Sequence, residues 1–282
     1  MAAESTYHEE ILGIAEAIAP GWERRRSQIE ELSAPVKEWL LRALDPRPGD
    51  TVLELAAGAG DTGFDAASLV APRGHLLCTD FSPAMLAIAQ RRGDERRVPN
   101  VDYRLMDAQR IDLAGDSVDG VLCRFGYMLM PDPAGAFREA HRVLRPGGRL
   151  ALAVWGPPER NPLFAILAAA LVARGQLPPP APAPAPGIFT MAAAERTSGL
   201  LREAGFRGLR TEEVPVCIVL PDVGEYVALI ADTAGPIGLA LQRLPDGELE
   251  LVQRQAQTAC ERFACADGYA MPGLALCAVG TA

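Results

Sequence analysis

Apolar residues in the first 45 positions recur at helical spacing. Ile11, Leu12, Ala15 and Ile18 share a face, Pro20-Gly21 interrupts, and Leu32, Val36, Leu40 and Leu44 line a second helix from about Ile29 to Leu44. From Thr51 the pattern changes to short apolar runs typical of buried strands. Thr51 to Ala56, His75 to Asp80, Val101 to Asp107, Val118 to Cys123 and Arg149 to Trp155 are five such runs. Helices fit between them: Ser82-Pro83 supplies an N-cap and a proline at N1, and a helix from Pro133 to about Leu144 stops at Arg145-Pro-Gly-Gly148. Strand and helix alternating in this way predict an α/β fold, a doubly wound and mostly parallel sheet.

The second half is less regular. Leu177 to Gly187 is dominated by proline, which excludes helix and inner strand and predicts a stiff, extended surface loop. Met191 to Gly205 reads as a helix, Leu209 to Leu220 and Gly273 to Val279 as strands, and helical patches fall near Tyr226 to Ala231 and Gly247 to Phe263.

Composition narrows the function. The chain has 282 residues, 49% of them apolar and 22% charged, with a net charge of −9, which describes a globular domain and disfavours a nucleic-acid partner. The longest uncharged apolar run, Leu163 to Ala173, is too short for a membrane span. An acidic start without an export signal leads us to expect a cytoplasmic protein. Lys37 is the single lysine, and the six cysteines form no CxxC pair and read as buried, reduced thiols with no metal site.

The chemistry-bearing segment is Glu54-Leu-Ala-Ala-Gly-Ala-Gly-Asp-Thr-Gly63, which leaves the first strand and opens a helix. Gly58, Gly60 and Gly63 make a GxGxxG, and Asp80 ends the second strand at the spacing of a ribose-hydroxyl acceptor. That pattern alone allows both NAD and S-adenosylmethionine. Glu54 would repel a pyrophosphate and attract an ammonium, and no Tyr-x-x-x-Lys pair exists. Asp107 beside Ala108 suits reading of an adenine edge. A methyl donor therefore fits better than a hydride carrier.

With these segments in order, the chain resembles the class I S-adenosylmethionine-dependent methyltransferases, in particular the UbiE-like group acting on small molecules. The resemblance rests on VLELAAGAGDTG, LLCTDFSPAML, MDAQRIDL, SVDGVLCRFGYMLMPDP and FREAHRVLRPGGRLALAVWGPPERNP, and weakens after residue 162. It implies a Rossmann-like seven-stranded sheet with an antiparallel terminal hairpin and a helical cap. The expected division is 1–45 as cap helices, 46–156 as the cofactor-binding core, 157–190 as a proline-rich cap segment, 191–220 as a core helix and strand, 221–270 as a cap insertion and 271–282 as the final strand.

Carried over by position, the resemblance implies that Glu54, Ala56, Ala57, Gly58 and Gly60 surround the methionine moiety. Asp80 would bind the ribose, Phe81 and Met85 the adenine face, and Asp107 and Ala108 the adenine edge. Arg124 and Phe125 would line the amino and sulfonium end. Transfer from S-adenosylmethionine, leaving S-adenosylhomocysteine, needs chiefly in-line alignment in a desolvated site. A base is needed only for an acceptor that must lose a proton, and His8 and Tyr127 are the candidates to contact the substrate or act as that base. The arginines at 24–26, 91, 92, 96 and 97 read as solvated faces. The expected reaction is methyl transfer to a small apolar or amphipathic molecule, a secondary metabolite or quinone-like acceptor. The alternative is a non-methylating enzyme, such as a cyclase, that retains the cofactor.

Overall fold

The structure, a computed structural model, describes residues 2–179 and 186–282. The chain runs α1 (Ala2–Arg24), α2 (Arg26–Leu44), β1 (Thr51–Glu54), α3 (Asp61–Val70), β2 (His75–Asp80), α4 (Pro83–Arg96), β3 (Val101–Leu105) and β4 (Val118–Arg124). It continues through α5 (Pro133–Val143), β5 (Leu144–Trp155), α6 (Pro162–Ala173), α7 (Ala194–Glu203), β6 (Arg207–Leu220), α8 (Val223–Thr233), α9 (Gly235–Gln242), α10 (Asp246–Cys260), β7 (Ala264–Cys265) and β8 (Gly268–Thr281). The strand order is β3-β2-β1-β4-β5-β8-β6, with the two-residue β7 added beside β8. Strands β1 to β5 pair in parallel, whereas β8 runs antiparallel to both β5 and β6. The expected doubly wound sheet with its terminal hairpin is present; β7 makes eight strands rather than seven.

The polarity of this sheet follows from burial. The central residues of β1, β2 and β4 are buried on both faces, which is why they read as continuous apolar runs, while β6 alternates buried Val214, Val216, Ile218 and Leu220 with exposed Pro215, Cys217 and Val219. Helices cover both faces. α2, α3 and α4 share one layer, tied through Lys37 and Arg96 to Asp65, and α5 and α7 pair elsewhere, with His141 of α5 edge-on to Phe206 just after α7.

Three expectations change here. α1 passes through Pro20-Gly21 without stopping and breaks at Arg25 instead. A proline costs the helix one hydrogen bond, and Gly21 lets the chain pack so closely on Asp232 that a Cβ would lie 2.1 Å from its carbonyl oxygen. α2 is not a cap element: it packs against β4, β5, β6 and β8, with Trp39 and Leu40 buried. Cys217 and Cys265 are exposed, whereas Cys78, Cys123, Cys260 and Cys277 are buried as expected. The expected proline-rich surface loop falls largely on residues 180–185, outside the described residues.

α6, α8, α9 and α10 pack on one another, and α1 joins them through α8 and α9. No described helix is long and apolar enough to cross a membrane.

Candidate functional site

The site is built where β1, β2 and β4 end. The turn after β1 puts Ala56, Gly58 and Gly60 at φ values of +51°, +55° and +82°. A left-handed alanine is strained, so this turn holds its shape against local preference. Ala57 donates its N–H to Thr79 O at 2.9 Å, stitching the turn to β2. Asp80 then closes the corner: its two carboxylate oxygens accept Gly58 N–H at 2.8 Å and Ser82 N–H at 2.9 Å. Burial pushes the Asp80 carboxyl above its ordinary value despite these bonds. Ser82 caps α4 by accepting Met85 N–H at 3.2 Å, which buries Met85 beside the turn.

Further along the edge, Asp107 accepts Gln109 N–H at 2.9 Å, and Ala108 is buried next to it. After β4, Phe125 is held at φ +63° and stacks on Trp155 at 4.1 Å and 8°. Trp155 meets Phe164 of α6 at 4.9 Å, so an aromatic wall runs from the core into the cap. Asn161 stiffens that wall: its buried amide donates to Gly156, Pro157 and Leu274 carbonyls and accepts Leu274 N–H at 2.9 Å.

Several side chains stand elsewhere than expected. Glu54 does not open toward a ligand; it is 2% exposed and accepts Gly63 N–H at 2.9 Å on the α3 side. Burial raises its carboxyl to about 8, only partly opposed by the Arg124 guanidinium and the Gly63 N–H. Tyr127 is fully buried, stacked on Phe137 at 4.2 Å, with its hydroxyl unpartnered among the described residues, so it is a core residue and not one that points at substrate. Its position follows from the tight turn at Gly126, where an added Cβ would meet Ala56 and Cys123 at 2.7 Å. His8 lies 3.7 Å from Asp107 and edge-on to Phe81, at the end of the groove expected for adenine and away from the expected sulfonium end.

Arg92 is the clearest feature the sequence reading missed. It is 5% exposed, donates to Ala59 O at 3.2 Å and pairs closely with Asp61, the first residue of α3. Arg124 lies 3.9 Å from the same aspartate, and burial lowers the pKa of its guanidinium. A signal existed: Met85, Ile88, Ala89 and Arg92 share the buried face of α4. Arg25 is likewise not a solvated residue but pairs with Asp232 at 2.7 Å and Glu225 at 2.5 Å.

The groove fits a methionine-bearing nucleoside. Gly58 offers its bare backbone, and the Thr62 hydroxyl, buried beside the turn, has no hydrogen-bond partner among the described residues. Two cavities, of about 350 and 310 Å³, lie elsewhere, against α10 from the α8 and α6 sides. Neither touches the strand ends.

A glycine turn after β1, an acidic β2 end and the 3-2-1-4-5 order closed by an antiparallel strand define the Rossmann-like fold of the class I S-adenosylmethionine-dependent methyltransferases. Residues 52–148 match the family described as Methyltransferase domain. Over that stretch the chain is similar to methyltransferase domains, UbiE-like ones among them.

Among curated relatives, an arsenite methyltransferase of Halobacterium salinarum is 38% identical over 105 residues, 37% of this chain and 27% of that protein. A demethylmenaquinone methyltransferase of Listeria welshimeri is 30% identical over 147 residues, 52% of this chain and 62% of that protein. The chain thus spans less than two thirds of either. A solved methyltransferase of Aquifex aeolicus, described as SAM-dependent, shares the fold at a TM-score of 0.52 and 20% identity, over 69% of this chain and 92% of that one.

Proposed function

We propose that the protein is an S-adenosylmethionine-dependent methyltransferase acting on a small apolar or amphipathic acceptor. The carrying observation is the corner at Asp80, where one buried carboxylate joins the glycine turn to the start of α4. Each carboxylate oxygen has a further lone pair, so ribose hydroxyls can be read there without breaking those bonds. Phe81, Asp107 and Ala108 extend the groove toward adenine; Ala56 and Gly58 lie against the methionine moiety.

The bound cofactor would supply an electrophilic methyl on a sulfonium. The chain's part is to hold that methyl in line with the acceptor and to exclude water. The buried Asp61, Arg92 and Arg124 fix the turn from beneath. Phe125, half-buried and backed by the buried Trp155 and Phe164, offers an apolar face suited to a flat ring, and the named activity of the demethylmenaquinone relative agrees with a quinone-like acceptor. Tyr127 is buried and His8 stands at the far end, so neither is placed to act as a base.

The test is turnover. Incubation with S-adenosylmethionine and a panel of quinols and phenols should release S-adenosylhomocysteine in step with methylated product. Product without stoichiometric S-adenosylhomocysteine would replace this reading with the cyclase-type alternative.

A further inference from the structure

We propose that α1 is an intramolecular strap that covers the cofactor groove and must lift before cofactor enters. This inference rests on the proposed function, because it takes the groove between Gly58 and Asp107 as the cofactor site. Along its length α1 meets that groove at successive points. His8 reaches Asp107 and Phe81 at one end. Ile18 and Ala19 bury themselves against Ala59, Met85 and Ile88. The Trp22 ring stands over the open face of Gly58, where a Cβ on that glycine would lie 3.7 Å from it. Of these, Gly58, Phe81, Met85 and Asp107 belong to the proposed cofactor site and must be accessible for it to bind.

Two anchors hold the strap, one on each side of the groove. On the core side, Glu16 accepts the Ser82 hydroxyl at 2.6 Å and Ala84 N–H at 3.1 Å. Its carboxylate therefore sits at the N-terminus of α4, where free N–H groups and the helix dipole favour an anion. On the cap side, Trp22 donates to Thr233 O at 3.1 Å, and Arg24 and Arg25 pair with Asp232 at 2.5 and 2.7 Å. The Glu16 anchor grips the loop between Asp80 and Met85, so the strap bears on the segment that shapes the nucleoside end. A ligand that binds only the open form has its apparent affinity reduced by the fraction open. Loosening either anchor should therefore improve cofactor binding.

The experiment compares full-length wild type with Glu16→Gln and Arg24→Gln. Stopped-flow and equilibrium titration with S-adenosylhomocysteine are paired with hydrogen exchange of α1 amides in ligand-free protein. Loss of the Glu16 anchor should raise both association rate and affinity about fivefold, and loss of Arg24, whose exposed pair leaves Arg25 on Asp232, about twofold, each with faster exchange across α1. The two variants perturb opposite sides and should agree in direction. Binding with an unchanged rate, or weaker binding through faster release, would overturn the strap and leave the proposed function standing. Absence of binding in wild type and both variants would overturn both.

Discussion

The floor of the groove and its roof are held together in opposite ways. The floor, from Thr51 to Asp107, uses backbone geometry and buried charge: left-handed turn residues, carboxylates bonded to backbone N–H groups, and Arg92 and Asp61 paired at 6% and 2% side-chain exposure. The roof, α1, is held by side chains at the rim, such as Arg24 at 61% exposure toward α8 and Glu23 at 45% toward Arg91 of α4 at 53%. An unpaired charge in a buried site has no water to fall back on, whereas a rim charge is re-solvated when its partner goes. The floor should therefore be rigid and intolerant, and the roof movable.

The sharpest way to break this contrast is Arg92→Ala. It leaves Asp61 buried with only the more distant Arg96 and Arg124, at 3.8 and 3.9 Å, and should destabilise the fold by about 3–5 kcal/mol, read from the shift of the urea midpoint. A loss below ~1 kcal/mol, ordinary for a surface pair, would erase the distinction.

Glu54 gives the second test, through pH. Its carboxyl is raised from the ordinary 4.5 to about 8 in the folded protein, so between those values the native state keeps a proton that the unfolded chain has lost. Its contribution to stability is fully present below about pH 4.5, falls as pH rises through about 8, and levels off above. The difference in stability between wild type and Glu54→Gln should drift across that window, measured by denaturant titration at several pH values. A constant difference would mean that Glu54 is ionised throughout.

The smallest effect belongs to the rim contact between the roof and α4. Arg91→Ala should change stability by less than ~0.5 kcal/mol, because an exposed ion pair is screened and its loss is met by water. A larger loss would show that the rim pairs lock α1 as firmly as burial locks the floor.

The same contrast explains what could be read from the sequence. The strands and the turn were legible because each is encoded locally: an apolar run, a glycine at a required positive φ, Ser82-Pro83 at a helix start. Boundaries differed by a few residues, as at β1, which ends at Glu54 rather than Ala56. The roof was not legible, since Glu16 meets Ser82 across 66 positions and Arg25 meets Asp232 across 207. Periodicity reports which face of a helix is buried and not which element buries it. The direction of the Glu54 and Tyr127 side chains escaped for a related reason. A residue at a strand end can point into the groove or beneath it, and only packing around Gly63 and Phe137 decides.

The central claim is that the Asp80 corner binds the nucleoside of S-adenosylmethionine, and calorimetric titration with S-adenosylhomocysteine tests it most directly. Wild type should bind one equivalent. Asp80→Asn keeps the side chain's shape but sets an NH2 against one of the two backbone N–H groups, and in a folded variant it should lose affinity at least ~10-fold, the order expected for a charge-assisted hydrogen bond to a ligand hydroxyl. Equal affinity in a folded Asp80→Asn variant, or no binding to wild type, would contradict the account.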